Sequence, residues 1–334
     1  MSTTLKFDKV AVIGAGSWGT AVANLYADQG GEVRIWGRDT AVVEQINSLH
    51  QNIKYLKGIS LNAKLKATTD FAGVLDFADL VVCAIPTQQI RTVFGPESKR
   101  LQGKPLVNTS KGIEIQTLKR VSEIFQELTP TSIYSVLSGP TFAQEVAKRL
   151  PAAITLASTD KLFAEAMQHR LSNNYFRVYT AADVIGVEIA GALKNVVAIA
   201  TGVSSGLELG YNAQAAIINR GVAEIMRMAK KMGASPMTFL GLAGMGDLIL
   251  TCTGPLSRNR TLGIKLGEGK KLPAIQKELG GVAEGVYTTK AAFELSLKMG
   301  IEMPINRQVY AILYEASTPQ QALIELMSRD LKEE

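Results

Sequence analysis

Two cysteines, Cys83 and Cys252, are all that this 334-residue sequence holds, and they stand far apart. That excludes a disulfide framework and a zinc site built from cysteines at ligand spacing, and it fits a reducing cytoplasm. Histidine is as scarce. Only His50 and His169 are available, so imidazole acid–base chemistry has few candidates, and both read as solvated or structural. No apolar stretch of about 18 residues runs uninterrupted. The opening Met1-Ser2-Thr3-Thr4-Leu5-Lys6 lacks the apolar core of a signal peptide, which leads to the expectation of a cytoplasmic protein that does not span a membrane. A basic stripe is missing too. The 36 Lys and Arg against 30 Asp and Glu give a net charge of +6, but they are scattered, with basic neighbours only in pairs such as Lys230-Lys231. Without aromatic-interleaved basic runs, small anionic ligands fit this charge better than nucleic acid does.

What is present is an ordinary globular composition, 46% hydrophobic and 20% charged, which argues against disorder. At roughly 150 residues per domain, the length suggests two domains. The first half alternates short apolar runs with helical patterns. Val10 to Gly14, Val33 to Trp36, Leu80 to Ile85, Leu106 to Asn108 and Ser132 to Leu137 read as buried strands of a parallel sheet. Leu65 to Thr68, Ala153 to Ala157 and Phe176 to Tyr179 are weaker candidates, and Trp18 to Gln29 and Lys119 to Glu127 read as amphipathic helices. Near Asp183 the pattern changes: Val184 to Ser204 suits one long apolar helix, with further helices at Asn212 to Met232, Met237 to Leu242 and Tyr287 to Met299. Leu266-Gly267-Glu268-Gly269 reads as a loop. The fold class is therefore α/β: an N-terminal doubly wound, Rossmann-type, mostly parallel sheet domain over 1–183, then an all-α domain over 184–334.

Gly14-Ala15-Gly16-Ser17-Trp18-Gly19 matches G-x-G-x-x-G directly after a strand and at the opening of a helix. Gly14 would permit the tight turn, Gly16 the approach of a pyrophosphate, and Gly19 the packing of helix on strand. The helix N-terminus would then present free N–H groups to the phosphates. At the end of the second strand, an NAD enzyme usually carries an acid for the ribose 2′-hydroxyl. Here strand alternation puts Gly37 in that place, followed by Arg38, which favours NADPH because a guanidinium attracts a 2′-phosphate. Asp39 leaves NADH open, since a shift of two residues restores an acid. In the second domain, Lys194 lies amid apolar and small residues of the long helix. A buried lysine there is costly unless it is paired, functional or snorkelling to solvent, and burial would suit it to carry a proton.

Together with Ser110-Lys111-Gly112-Ile113-Glu114, Leu137-Ser138-Gly139-Pro140-Thr141-Phe142-Ala143, Gly186-Val187-Glu188, Ala192-Leu193-Lys194-Asn195, Gly241-Leu242-Ala243-Gly244-Met245-Gly246-Asp247-Leu248 and Leu256-Ser257-Arg258-Asn259-Arg260, these residues closely resemble the bacterial NAD(P)-dependent glycerol-3-phosphate dehydrogenase family from about Lys9 to about Arg329. Lys57 and Asn62 depart from it, standing where many relatives have proline, and Thr141 replaces a frequent serine. The resemblance implies reversible hydride transfer between NADPH, or NADH, and dihydroxyacetone phosphate, giving sn-glycerol 3-phosphate for glycerophospholipid synthesis by a homodimer without a metal. It makes the first domain the dinucleotide-binding one and the second the substrate-binding one. By resemblance Lys194 is the catalytic acid and a substrate contact. Lys111, at the end of a strand in the sheet domain, is a second cation near the substrate oxygens, and Asp247, in a glycine-rich turn, holds Lys194 or a substrate hydroxyl. Ser257, Arg258 and Asn259 receive the phosphate, with Gly139 and Thr141 adding contacts. Cofactor contacts map onto Ser17, Trp18, Arg38, Lys111, Ala143, Arg258, Val282 and Glu284, beside Gly14, Gly16 and Gly19; the Val282–Glu284 stretch otherwise reads as a flexible loop. Two rivals stand beside this reading: another lysine-dependent β-hydroxyacid-type dehydrogenase, and a dinucleotide-sensing regulator without turnover.

Overall fold

A computed structural model describes residues 7–280, 283–331 and 333. The chain forms two compact units, one of residues up to Ser110 with Val121–Val184, the other of Lys111–Arg120 with Ile185 onward. In the first unit β1 (Lys9–Ile13), β2 (Glu32–Trp36), β3 (Lys66–Thr68), β4 (Leu80–Cys83), β5 (Leu106–Asn108), β6 (Tyr134–Ser138), β7 (Ala152–Ser158) and β8 (Phe176–Ala181) make one sheet. Their order is β3-β2-β1-β4-β5-β6-β7-β8, and every pairing is parallel except β6 with β7. All the expected strands are present.

The central strands are buried on both faces. Val10, Val12 and Ile13 of β1 and Leu80 to Cys83 of β4 are fully buried, which is why these runs are apolar throughout rather than alternating. Val22, Leu25 and Tyr26 of the Ser17–Asp28 helix share one core with Val10 and Val12. Each such Val or Leu side chain contributes about 1.5–3 kcal/mol by leaving water. Aspartates set the starts of other helices: the carboxylates of Asp39, Asp70 and Asp160 accept from the N–H groups of Ala41, Gly73 and Phe163. Such a cap is worth about 1 kcal/mol. The chain winds outward from β1 to β3 and then crosses to β4 on the other side of β1. An open α/β sheet usually takes its ligand at such a reversal of strand order, here beyond the carboxyl ends of β1 and β4.

The second unit is helical, apart from the Lys111–Arg120 segment. Its central helix, Val184–Gly206, is long and apolar enough to cross a membrane by length and composition, but 89% of its most apolar 18-residue window is buried inside the protein. That is the pattern of a core helix. It crosses the Arg258–Gly267 helix at four glycines. A Cβ on Gly202 would stand 2.2 Å from the Arg260 carbonyl oxygen, and one on Gly263 would stand 2.1 Å from that of Ile199. Gly206 and Gly267 repeat the contact one turn on, at 2.2 Å from the Ile264 oxygen and 2.5 Å from the Val203 oxygen.

Three local expectations change. Leu266 and Gly267 end a helix, and the loop begins only at Glu268, because Gly267 is there for helix packing rather than for a turn. Met237 to Leu242 is not one helix: a 3-10 turn, Pro236–Leu240, precedes a π-turn, Leu242–Gly246, and glycines 241, 244 and 246 weaken regular helix there. Lys111–Arg120 leaves the sheet unit. Ile113 is fully buried in the core of Ile189, Leu193 and Leu248, and Arg120 pairs with Glu188 at 2.7 Å.

Candidate active site

In the sheet unit the site begins where β1 stops. Gly14 has φ +122°, a conformation that strains other residues, and a Cβ on it would lie 2.5 Å from the Ala84 carbonyl oxygen. A Cβ on Gly19 would lie 1.9 Å from the Gly14 carbonyl oxygen, so helix and turn meet there. Gly16 is different: a Cβ on it would meet nothing within 4 Å. Protein packing therefore does not require this glycine, whereas close approach of a ligand would. Gly16 precedes the Ser17–Asp28 helix and offers no side-chain cap. The Trp18 indole N–H is buried without a hydrogen-bond partner among the described residues, and the Ser17 hydroxyl donates to the Tyr55 carbonyl oxygen at 2.7 Å. Ala143 is half-buried and opens the Ala143–Ala147 helix. An uncapped helix start behind an open glycine fits a dinucleotide pyrophosphate.

At the end of β2, Gly37 is buried, and a Cβ on it would already press on that of Ala15 at 2.8 Å. A carboxylate has no room at that position. Arg38 is exposed. Asp39 caps the next helix through one oxygen and pairs with Lys54 at 2.8 Å through the other. The hydrogen bond from Lys54 holds the Asp39 carboxyl below the usual carboxylate range.

In the helical unit, the carboxylate of Asp247 lies between two ammonium groups. Lys111 Nζ donates to Oδ2 at 2.6 Å, and Lys194 Nζ donates to Oδ1. Lys194 donates also to Thr251 Oγ1 at 2.8 Å. Asp247 and Lys194 are buried, while Lys111 keeps about a fifth of its side chain in solvent. Burial pulls the Lys194 pKa down to about 7, and the nearby charge of Lys111 adds to the fall, although Asp247 opposes it. Burial by itself would raise Asp247, but the two ammonium groups outweigh it and hold the carboxyl below its ordinary value. The cluster has one positive charge too many for a buried site. Loss of a proton from Lys194 leaves a balanced Lys111–Asp247 pair, so Lys194 can exchange its proton near neutrality.

Asp247 opens the Asp247–Thr253 helix rather than sitting in a turn, because the π-turn before it holds the glycines. Lys111 lies beyond the end of β5 in the helical unit, not in the sheet unit, and its carbonyl accepts from Asn195 Nδ2 at 3.3 Å. Ser257 caps the Arg258–Gly267 helix by accepting from the Arg260 N–H, which leaves its own proton to donate. Arg258 is exposed, and one guanidinium nitrogen donates to the Leu279 carbonyl oxygen at 3.2 Å. Asn259 is buried between Asn195 Oδ1, to which it donates, and the Gly285 N–H, from which it accepts. Glu284 begins the Glu284–Met299 helix instead of lying in a loop. Val282 lies outside the described residues. Gly139 and Thr141 belong to the sheet unit, where the Thr141 hydroxyl donates to the Gly139 carbonyl. Neither histidine joins the lysine cluster: His50 ends the Thr40–Leu49 helix and His169 lies in Lys161–Leu171. Among the described residues, no group of three or more His, Cys, Asp or Glu side chains could hold a metal ion.

Two residues of the cluster escaped sequence reasoning. Thr251 stands four positions after Asp247, the spacing that puts two side chains on one helix face, and that was the available signal. Asn195 adjoins Lys194 and links Lys111 to Asn259.

Models described as the N-terminus and C-terminus of NAD-dependent glycerol-3-phosphate dehydrogenase match residues 9–164 and 183–324. A protein of Citrifermentans bemidjiense named glycerol-3-phosphate dehydrogenase (NAD(P)+) is 47% identical over 331 residues, covering 98% of this chain and 99% of that protein. One of the same name from Myxococcus xanthus is 48% identical over 328 residues, or 97% and 98%. Among solved structures, glycerol-3-phosphate dehydrogenase of Coxiella burnetii matches with a TM-score of 0.93 and 39% identity over 96% of this chain and 98% of that one.

Proposed function

This chain belongs to the NAD-dependent glycerol-3-phosphate dehydrogenase family, and from that premise we propose that it reduces dihydroxyacetone phosphate reversibly to sn-glycerol 3-phosphate with NAD(P)H as donor. The observation that carries the chemistry is the Asp247 carboxylate set between Lys194 and Lys111. When bound, the nicotinamide supplies the hydride for the carbonyl carbon and takes it back in oxidation. Lys194 gives its Nζ proton to the forming alkoxide oxygen, and recovers it from the alcohol in reverse. A pKa of about 7 suits both directions. Lys111 holds positive charge for the same oxygen, while Asp247 and Thr251 aim the Lys194 ammonium.

For the substrate phosphate, Arg258 offers a planar fork, Ser257 its hydroxyl proton and Asn259 its remaining N–H, with Gly139 and Thr141 as further contacts. Gly14, Gly16, Ser17, Trp18, Gly19 and Ala143 would hold the dinucleotide, joined by Lys111, Arg258, Val282 and Glu284. Arg38 would bind the 2′-phosphate, so NADPH is the preferred donor: Gly37 leaves no place for an acid, and Asp39 is already engaged with Lys54 and Ala41. Scarce cysteine supports a cytoplasmic setting, and the family supports a homodimer that feeds glycerophospholipid synthesis. The test is absorbance loss at the nicotinamide band with dihydroxyacetone phosphate, comparing NADPH with NADH. Loss with the phosphorylated ketone, fastest with NADPH, is expected. Equal reduction of unphosphorylated dihydroxyacetone would contradict the phosphate assignment.

A further inference from the structure

The segment between the Thr40–Leu49 helix and β3 is bound tightly to the glycine turn. Asn52 is fully buried, and its Nδ2 donates to the Ala15 carbonyl oxygen at 3.0 Å and to Thr20 Oγ1 at 2.8 Å. Its Oδ1 accepts from the Tyr55 N–H at 3.2 Å, and the Tyr55 carbonyl takes the Ser17 hydroxyl. On the other side, the Ile53 N–H donates to the Gln45 side chain at 3.3 Å. Farther along, Asn62 donates its N–H to Asn24 at 2.7 Å and its Nδ2 to Asp28 at 3.0 Å, tying the segment to the Ser17–Asp28 helix. A proline at 62 could not make the first of these bonds. Lys54 is thus held by its neighbours on both sides, and its ammonium reaches Asp39, the residue after Arg38.

We infer that Lys54 is a specificity-determining residue for a 2′-phosphorylated dinucleotide, because it neutralises the Asp39 carboxylate beside Arg38. Asp39 cannot simply be removed by the fold, since it caps the Thr40–Leu49 helix. An uncompensated carboxylate one residue from the phosphate-binding guanidinium would repel a dianionic 2′-phosphate and leave a plain ribose 2′-hydroxyl unaffected. Lys54 cancels that repulsion. The inference rests on the reading of the end of β2 as the place that receives the 2′-phosphate, and it adds a residue from a different loop.

The test is direct titration of the protein with NADPH and NADH, followed by nucleotide fluorescence without substrate, for wild type, Lys54→Met, Asp39→Asn, the double variant and Arg38→Ala. Met keeps the apolar stem, and Asn keeps the helix cap. Lys54→Met should weaken NADPH binding at least fivefold and NADH binding less than twofold. The gap should shrink at high salt, as expected for an exposed charge. Adding Asp39→Asn to Lys54→Met should recover most of the NADPH loss. Equal weakening of both nucleotides, no weakening, or no recovery in the double variant would overturn the inference. Arg38→Ala reports separately: if it leaves the NADPH to NADH ratio unchanged while Lys54→Met collapses that ratio, the Arg38 reading fails and the Lys54 inference stands.

Discussion

The Lys194 ammonium donates to one oxygen of the Asp247 carboxylate inside the helical unit, and both groups are buried. With Lys111 on the other oxygen, Asp247 serves two cations at once. Its neutral replacement would leave two ammonium groups facing each other without an anion.

Asp247→Asn should therefore push the Lys194 pKa further below about 7 and lower the turnover of ketone reduction at neutral pH by tenfold or more. In wild type the acid must hold its proton for ketone reduction, so kcat falls as pH rises through about 7. In the oxidative direction the neutral amine is needed, and kcat rises through the same pH. The measurement is kcat against pH in both directions. In the variant both transitions move to lower pH, and unmoved transitions would assign them to another group.

The four-glycine crossing gives a second test. Gly263→Ala places a methyl 2.1 Å from the Ile199 carbonyl oxygen, which backbone cannot yield without the helices parting. Overpacking of this kind costs about 1–3 kcal/mol or more. Arg258 and Asn259 begin the displaced helix, so KM for dihydroxyacetone phosphate should rise together with the fall in Tm. Affinity for NADPH in a substrate-free titration should fall less, because the glycine turn and Arg38 keep their places and Arg258 is the one proposed cofactor contact on this helix.

Glu224 predicts a pH-dependent stability unrelated to turnover. Its buried carboxylate accepts from the Ile305 N–H at 2.6 Å and the Asn306 N–H at 3.2 Å, at the start of the Pro304–Tyr314 helix. Burial raises its pKa from 4.5 to about 7, against those two bonds. Between these values the folded state keeps a proton that the unfolded chain has lost, so stability falls as pH rises from 4.5 to 7. Glu224→Gln keeps an acceptor and removes this titration. Relative to the variant, wild type should lose on the order of 2–3 kcal/mol between pH 5 and 8, read from denaturant unfolding at both. A constant difference across that range would refute the assignment.

Much of this fold is legible in the chain because its sheet is central and buried. The apolar runs of β1, β4 and β5 have no alternative reading once glycine and polar residues bound them, and even the three-residue β3 is marked by Leu65 to Thr68. Lys194 is conspicuous for the same reason, as a lone charge amid Ala, Leu and Val. Tertiary choices are not written locally. Nothing in Lys111 to Arg120 shows that Ile113 is buried with the helical core or that Arg120 meets Glu188 across 68 positions. Gly267 looks like a loop residue until the partner glycine on another helix is known. Thr251 and Lys54 were missed because an exposed lysine or a threonine in a helix is commonplace, and only the groups they meet, Lys194 and Asp39, set them apart.

Lys194 as the carrier of the proton is the central assignment. Lys194→Ala leaves the glycine turn and Arg38 in the other unit untouched, so a direct NADPH titration should give wild-type affinity. Turnover of dihydroxyacetone phosphate should fall by roughly two to four orders of magnitude, the range for loss of a general acid. Lys194→Arg should do little better, since guanidinium does not release its proton near neutral pH. The decisive number is kcat of Lys194→Ala at saturating NADPH: a loss of at least a hundredfold with cofactor binding intact is the predicted result, and near-normal turnover in a folded variant would contradict the account.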